Sequence, residues 1–499
     1  MARIVVIGAG MGAMAAAARL AVAGHRVVLY ERTATYGGAV ARFERDGFAF
    51  DTGPGLLPLP AVYRDLFLKT GKESLEKCVD LVQVDPAARH VFADGTDLLL
   101  PGSSRAGVVD ALNTALGPGA GDRWGDFLVR AREAWDRTRR PLLEEPLRPD
   151  WKVLAEREPY PSVPHKRLLR TRRARTLAEI GDWELRDPRL TALLESHALA
   201  YGLDPRNIPA SAAVLPYMEH AFGTWYVRGG IRELARALYE RCLARRVEFV
   251  FGAEVTRIVE KDGRVAGVEV AAEIAAEGGG FTEADHVVAG IDPVRLNGLT
   301  ERLLQDDGDV RLDLESSRPG RFTVLLALRG AREAGAAHRT VVHAPDRTAE
   351  LDHLSHRPDN DDLVPLTATV LRPDDPALRP DEEHESVVVS AVVPTETDWL
   401  EGDLAERRAE SLVTAAEAAV PGLRERLLWR EVRLPEAMSP PTLAAADGRF
   451  LCPSNTTRLP GLYLVGGWAH PGGGLPHTGM SGALVAGLIV EGPEFRGSQ

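Results

Sequence analysis

The chain has 499 residues, 44% of them hydrophobic and 26% charged, with a formal net charge of −12. That length allows two or three domains around a large core, and the composition excludes a disordered chain. The acidic balance excludes a general nucleic-acid binder, which needs a basic face for phosphates.

Residues 3–7 predict a short buried strand, 11–23 an Ala-rich helix ended by Gly24, and 26–30 a second buried strand. Together they make a βαβ unit. The stretch "RIVVIGAGMGAMAAAA" at 3–18 also imitates a signal peptide, but glycines at fixed offsets suit a strand–turn–helix better than a cleavable apolar helix. Within the unit, Gly8-Ala9-Gly10-Met11-Gly12-Ala13 fits G-x-G-x-x-G/A. Gly8 allows the tight turn, Gly10 lets backbone approach a pyrophosphate, and Ala13 permits close helix–strand contact. The helix then opens with its N–H groups toward the phosphates. Glu31 ends the second strand, where a carboxylate accepts hydrogen bonds from ribose hydroxyls. Gly37-Gly38 and Asp51-Thr52-Gly53-Pro54 add further bare backbone.

Residues 76–224 read as a helical region, with periodic apolar positions at 121–139 and 185–200. No second dinucleotide fingerprint follows; "GPGAG" at 117–121 carries a proline and lacks a preceding strand. Strands return at 247–270, with a Lys-Asp-Gly hairpin turn at 261–263, and again at 321–329 and 386–393. "AAEIAAEGGG" at 271–280 reads as a hairpin extension, and the Pro- and Asp-rich segment 357–385 as a surface loop around one short strand. Residues 462–465 read as a strand leading into "GGWAHPGGGLPHTGMSG" at 466–482, and 478–490 as an apolar helix.

The N-terminal stretch resembles the signature of the FAD-dependent flavoprotein superfamily that includes amine oxidases and carotenoid desaturases. "AHPGGGLPHTGMSG" resembles the C-terminal FAD motif of the bacterial phytoene desaturase family. Three further stretches resemble that family: "GTWYVRGGIRELARAL" at 223–238, "ADHVVAGIDP" at 284–293 and "LRPDDPALRPDEEHESVVVSAVVP" at 371–394. The matches run in order from residue 3 to 490. Departures are Ala39 after the Gly37-Gly38 pair, where the family has Arg, and Gly290, Ile291, Arg379, Asp381 and His477. Arg42 is the substitute candidate for the missing cation at 39.

The resemblance implies an α/β fold. It has a discontinuous FAD/NAD(P)-binding Rossmann-type domain from 1–75, 225–300 and 440–499, and an α+β substrate-binding domain from 76–224 and 301–439. It implies FAD, bound by Gly8, Ala9, Gly10, Gly12, Ala13, Glu31, Arg32, Gly37, Gly38, Gly53, Pro54, Val255, Gly466, Gly467, Gly474 and Leu475. Glycine backbone lets a flat ring lie against the chain, so 466–482 is the expected cradle of the isoalloxazine. The helix after it offers a positive end to reduced flavin. The implied reaction dehydrogenates a hydrophobic isoprenoid-type substrate by hydride transfer to flavin N5, with oxygen or a quinone as final acceptor. His470 and His477 are the candidate catalytic residues, tuning the flavin or protonating a product; the alternative is that they structure the loop. Rival readings are a polyene isomerase or saturase, an amine oxidase, and a non-catalytic FAD-bound partner protein. The amine oxidase reading lacks flavin-framing aromatics in "HPGGGLPHTG".

Three cysteines, Cys78, Cys242 and Cys452, form no C-x-x-C pair. They fit a reducing, cytoplasmic setting and argue against a cysteine metal site. No apolar run reaches the roughly 18–20 residues of a membrane span. "HKRLLRTRRAR" at 165–175, flanked by Trp151, Tyr160 and Trp183, is either a patch for peripheral contact with anionic lipid or a solvated helix face with ion pairs. His338, His343, His353 and His356 read as surface histidines, so no metal is expected. Gly479-Met480-Ser481-Gly482-Ala483 misses the Ser-hydrolase elbow at its fifth position. Oligomeric state is left open.

Overall fold

A computed structural model describes residues 1–102, 104–148, 158–165, 170–271, 280–300, 319–355, 363–445 and 448–497. Five strands form one parallel sheet. In spatial order they are Glu248–Phe251, Arg26–Glu31, Arg3–Ile7, His286–Ala289 and Leu462–Leu464. Strands from the beginning, middle and end of the chain therefore lie side by side. Parallel strands buried on both faces read as continuous apolar runs, which is why "RIVVI" and "RVVLY" were legible.

The helix Met11–Val22 lies against helices Arg232–Ala244 and Leu475–Glu491. Ala15, Ala16, Ala17 and Ala18 are each 0% exposed, so it is buried almost all round. Small side chains let three helices approach at once. A Cβ on Gly482 would stand 2.7 Å from both the Ala15 Cβ and the Gly12 carbonyl oxygen.

The second layer is a seven-stranded mixed sheet. Its order is Leu427–Ala437, Pro319–Arg329, His384–Pro394, Ala368–Leu371, Arg339–Val342, Ala88–Val91 and Asp97–Leu100. All its pairs are antiparallel except Arg339–Val342 with Ala88–Val91. Helices Arg105–Leu116, Ala120–Arg139, Pro188–Leu199 and Val214–Phe222 build a separate apolar core around Trp124, Phe127 and Leu193. The hairpin Val255–Lys261/Arg264–Val270 turns through Asp262 (φ 55°) and Gly263 (φ 74°). Positive φ at both central residues matches the twist of the flanking strands.

Several expectations need correction. The Pro- and Asp-rich segment is not a surface loop throughout. Within it, Arg372 (2% exposed) pairs with Glu385 (1% exposed) at 2.7 Å. Asp375 is buried and accepts from the Tyr226 hydroxyl at 2.8 Å. His343 and His353 are buried rather than superficial, and His343 stacks on Phe92 with ring centroids 4.5 Å apart. His356 lies outside the described residues. Among the described residues no group of three or more His, Cys, Asp or Glu converges as for a metal.

Trp151, residues 166–169 and most of 271–280 also lie outside the described residues. Of the other aromatics beside the basic run, Tyr160 is fully buried and donates to Glu184 at 2.8 Å. The Arg172 guanidinium lies 2.8 Å from the centroid of the Trp183 ring. No described helix is long and apolar enough to cross a membrane.

Candidate active site

The fingerprint turn begins where the first strand ends. Gly8 has φ +90°, and a Cβ there would lie 2.9 Å from the Gly290 carbonyl oxygen. Only glycine satisfies both constraints. Glycine at 290, one of the departures noted in the sequence, has its own packing reason. A Cβ at 290 would meet the Ala13 Cβ at 3.0 Å and the Ile7 carbonyl at 3.2 Å. The methyl at 13 and the bare backbone at 290 are complementary.

Gly10 caps the helix Met11–Val22 with φ −69° and ψ 166°, a backbone any residue adopts. A Cβ on Gly10 would meet no protein atom within 4 Å, yet Gly10 lines a cavity of about 1010 Å³. Neither backbone nor packing requires glycine here.

Gly37 donates to the Ala9 carbonyl at 2.8 Å, which brings the Gly37-Gly38 pair beside the turn. Arg232 fastens that loop. It donates to the carbonyls of Tyr36 and Val40 and to Thr35 Oγ1, and its guanidinium lies 4.1 Å from the centroid of the Tyr36 ring. Asp51 accepts from the Ile231 N–H at 2.9 Å and the Arg232 N–H at 3.4 Å, closing the orphan donors of helix Arg232–Ala244. Burial raises the Asp51 carboxyl to about 6. Arg42 lies beside it, with Nε and Nη2 buried and without hydrogen-bond partners among the described residues.

The second glycine turn follows Leu462–Leu464. The Gly466 N–H donates to Ser481 Oγ at 3.0 Å. Asn455 Nδ2 reaches Ser481 Oγ at 3.2 Å and the His470 carbonyl at 2.8 Å. Ser481, fully buried, is thus a fastener rather than a nucleophile. A Cβ on Gly12 would stand 2.8 Å from Gly466 Cα and 2.9 Å from the Thr478 carbonyl. The two turns touch.

Their exposed faces line one cavity of about 1010 Å³. Gly10, Gly12, Ala13, Gly37, Gly38, Gly53, Pro54, Gly466, Gly467, Gly474 and Leu475 all border it. Gly8, Ala9, Glu31, Arg32, Val255, His470 and His477 do not. The Glu31 carboxylate is engaged within its own neighbourhood, accepting from the Ala9 N–H at 2.7 Å and the Thr33 N–H at 2.8 Å. Arg32 is exposed at the end of its strand, and Val255 is buried in the core.

The two histidines lie outside the lining of that cavity. His470 is fully buried, and Nε2–H donates to the Glu145 carbonyl at 2.9 Å. His477 faces a separate small cavity beside Trp135 and Leu143. Burial lowers both to about 4, so both are neutral near pH 7. Neither lines the cavity, though His477 Nδ1 lies 3.4 Å from where a Cβ on Gly474, a lining residue, would stand.

The opposite wall comes from the mixed sheet and the helical layer, and no local motif announced it. Glu219 pairs with Arg339 and lies 3.8 Å from His197 Nε2. Burial works to raise the Glu219 carboxyl, and Arg339 and His197 reverse it, so it stays below its usual range. His90 Nδ1 and His343 Nε2 are 3.0 Å apart, and burial holds both rings neutral. The available signal was charge inside apolar runs, as in "VLPYMEHAF" and "RFTVLLALR".

Comparison with known proteins agrees with this architecture. The profile described as flavin containing amine oxidoreductase matches residues 14–490. The chain is 28% identical to the 4,4'-diapolycopene oxygenase of Methylomonas sp, over 98% of each chain. It is 29% identical to the zeta-carotene-forming phytoene desaturase of Myxococcus xanthus, over 98% of this chain and 94% of that one. An oxidoreductase from Methanosarcina mazei superposes with a TM-score of 0.66 at 20% identity, over 97% of this chain and 99% of that one. Cyclohexylamine oxidase from Brevibacterium oxydans does so with 0.63 at 15% identity, over 98% and 99%. The chain belongs to the flavin-containing amine oxidoreductase family.

Proposed function

We propose that the protein is an FAD-dependent oxidoreductase that removes hydrogen from a CH–CH unit of a hydrophobic, isoprenoid-type substrate. The observation that carries the cofactor reading is Gly10. Its Cβ position is free of protein atoms, its backbone is ordinary, and it borders the cavity where both glycine turns meet. Gly37, Gly38 and Gly53 would hold the dinucleotide beside it, and Gly466, Gly467 and Gly474 the ring. The N-terminus of helix Leu475–Glu491 would face the ring's anionic side. FAD, when bound, supplies the hydride acceptor.

The chain's own residues position the substrate and exclude water. Ala391, Val392, Val432 and Leu434 offer apolar wall. No histidine of the glycine loop reaches the cavity, consistent with chemistry that asks little acid–base help of the protein. The similarity to a phytoene desaturase and a diapolycopene oxygenase supports a carotenoid-like chain as substrate. In the same reading 1–75, 225–300 and 440–499 serve the cofactor, and 76–224 and 301–439 the substrate.

Expression in a host that accumulates phytoene, followed by pigment analysis, tests the reaction. New chromophores of longer conjugation are expected. Unchanged phytoene beside flavin-loaded protein would remove the carotenoid reading.

A further inference from the structure

The cavity wall facing the glycine turns carries a polar row beside its apolar side chains. Register across the mixed sheet places Arg433, Thr323, Ser390, Thr369, Val341 and His90 in one cross-strand row. All six line the cavity. The three hydroxyls of Thr323, Ser390 and Thr369 bond no other side chain and no backbone group among the described residues. A hydroxyl pressed against a purely apolar ligand forfeits its hydrogen bonds, at a cost of about 1–3 kcal/mol each.

One residue pair further along the same strand stands Arg321. Its guanidinium borders the cavity and donates once, from Nη2 to the Ala200 carbonyl at 3.1 Å. Among the described residues no carboxylate pairs with it. Glu436 is its register partner on the edge strand, yet Glu436 is exposed and lies outside ion-pair distance. Burial works against the Arg321 charge, and Tyr201 is the group that favours it. Tyr201 lines the cavity too, and its hydroxyl lies 3.3 Å from where a Cβ on Gly474 would stand. A half-buried guanidinium that no described carboxylate pairs, beside a phenol and next to the glycine cradle, is placed to take an anionic partner. Its planar fork matches a carboxylate.

We propose that the substrate is an apolar chain ending in a carboxylate, and that Arg321, assisted by Tyr201, holds that carboxylate. The proposal rests on the reading that this cavity takes an isoprenoid-type substrate. Within that class it makes an acid-ended chain the preferred ligand, while a plain hydrocarbon enters the same cavity without the ion pair. The hydroxyl row then serves oxygen atoms or water carried in with the polar end.

The test is a tryptophan-fluorescence titration of the purified full-length protein with three probes: an all-trans tetraprenyl carboxylic acid, its methyl ester and the corresponding hydrocarbon. Wild type should bind the acid about 10- to 100-fold more tightly than the ester, the range for a charge-assisted hydrogen bond. R321M should lose that preference while its affinity for the hydrocarbon, which offers no acceptor, stays unchanged, and R321K should keep part of it. Y201F should weaken acid binding less than R321M does. Equal binding of acid and ester by wild type, or failure to bind the acid, overturns the proposal whether or not R321M folds. So does an R321M protein that keeps its acid preference but shifts the spectrum of bound flavin, since Arg321 would then serve the cofactor. Preferred binding of the acid without any flavin reduction would leave this inference standing and sink the dehydrogenation reading.

Discussion

Asp51 carries the clearest single-residue consequence. Its carboxyl is raised to about 6 by burial, against an ordinary value of 3.8. Between those values the folded chain holds a proton that the unfolded chain has released. This one group therefore lowers stability as pH rises from about 4 to about 6, and has no further effect above. Asp51→Asn keeps an acceptor for Ile231 and removes the titration. Thermal midpoints of cofactor-free wild type and D51N should converge or cross as pH rises from 4 to 6, with wild type losing ground, and run parallel above 7. A constant difference over the whole range would contradict this. At this scale the sequence was legible where chemistry is local. Gly8, Gly10 and Ala13 follow from a fixed spacing, and each has a distinct reason in the structure. The burial of His470 and His477 was not legible, because it is a tertiary fact: His470 donates to the Glu145 carbonyl, 325 residues away. Arg321 and Glu219 carried no motif at all.

Elements were read well where their periodicity is strong. The expected helix at 11–23 is Met11–Val22, that at 121–139 is Ala120–Arg139, and the strands at 321–329 and 386–393 are Pro319–Arg329 and His384–Pro394. The last helix begins at Leu475 rather than 478, because Pro476 fits its first turn. The Pro- and Asp-rich segment misled through composition: Asp375 is polar yet points inward to Tyr226. Two glycines show what helix packing demands. Gly482 faces Ala15 at the crossing of the first and last helices, and Gly125 in helix Ala120–Arg139 has nothing within 4 Å of its Cβ position. Gly482→Val should destabilise by at least about 1–3 kcal/mol through overpacking. Gly125→Ala should stabilise by roughly 0.5–1 kcal/mol through backbone entropy. Denaturation of both variants beside wild type checks the pair, and like signs would contradict the packing described.

Across the whole molecule, acid is the expected weakness. His338, His353, His470 and His477 are each lowered by burial to about 4, and His343 to about 3. Below the ordinary 6.5 the unfolded chain binds these protons and the folded chain does not. Stability is therefore lost as pH falls from about 6.5 toward 4, opposite in sign to Asp51 and to Glu158, whose carboxyl burial raises to about 7, with five histidines against these two. The thermal midpoint should fall steeply between pH 6.5 and 5, and a flat profile would contradict the burial of these rings. The discontinuous parallel sheet explains how turns at residues 8–13 and 466–474 come into contact: their strands flank His286–Ala289 on either side. The central claim is that one flavin lies where they meet. Equilibrium titration of cofactor-free protein with FAD, for wild type and Gly10→Val, tests it directly. Wild type should bind one FAD per chain, and G10V should bind it roughly tenfold or more weakly, about 1.4 kcal/mol, with an unchanged thermal midpoint before FAD is added. Wild type that takes up no FAD, or G10V that binds it equally well, would contradict the account.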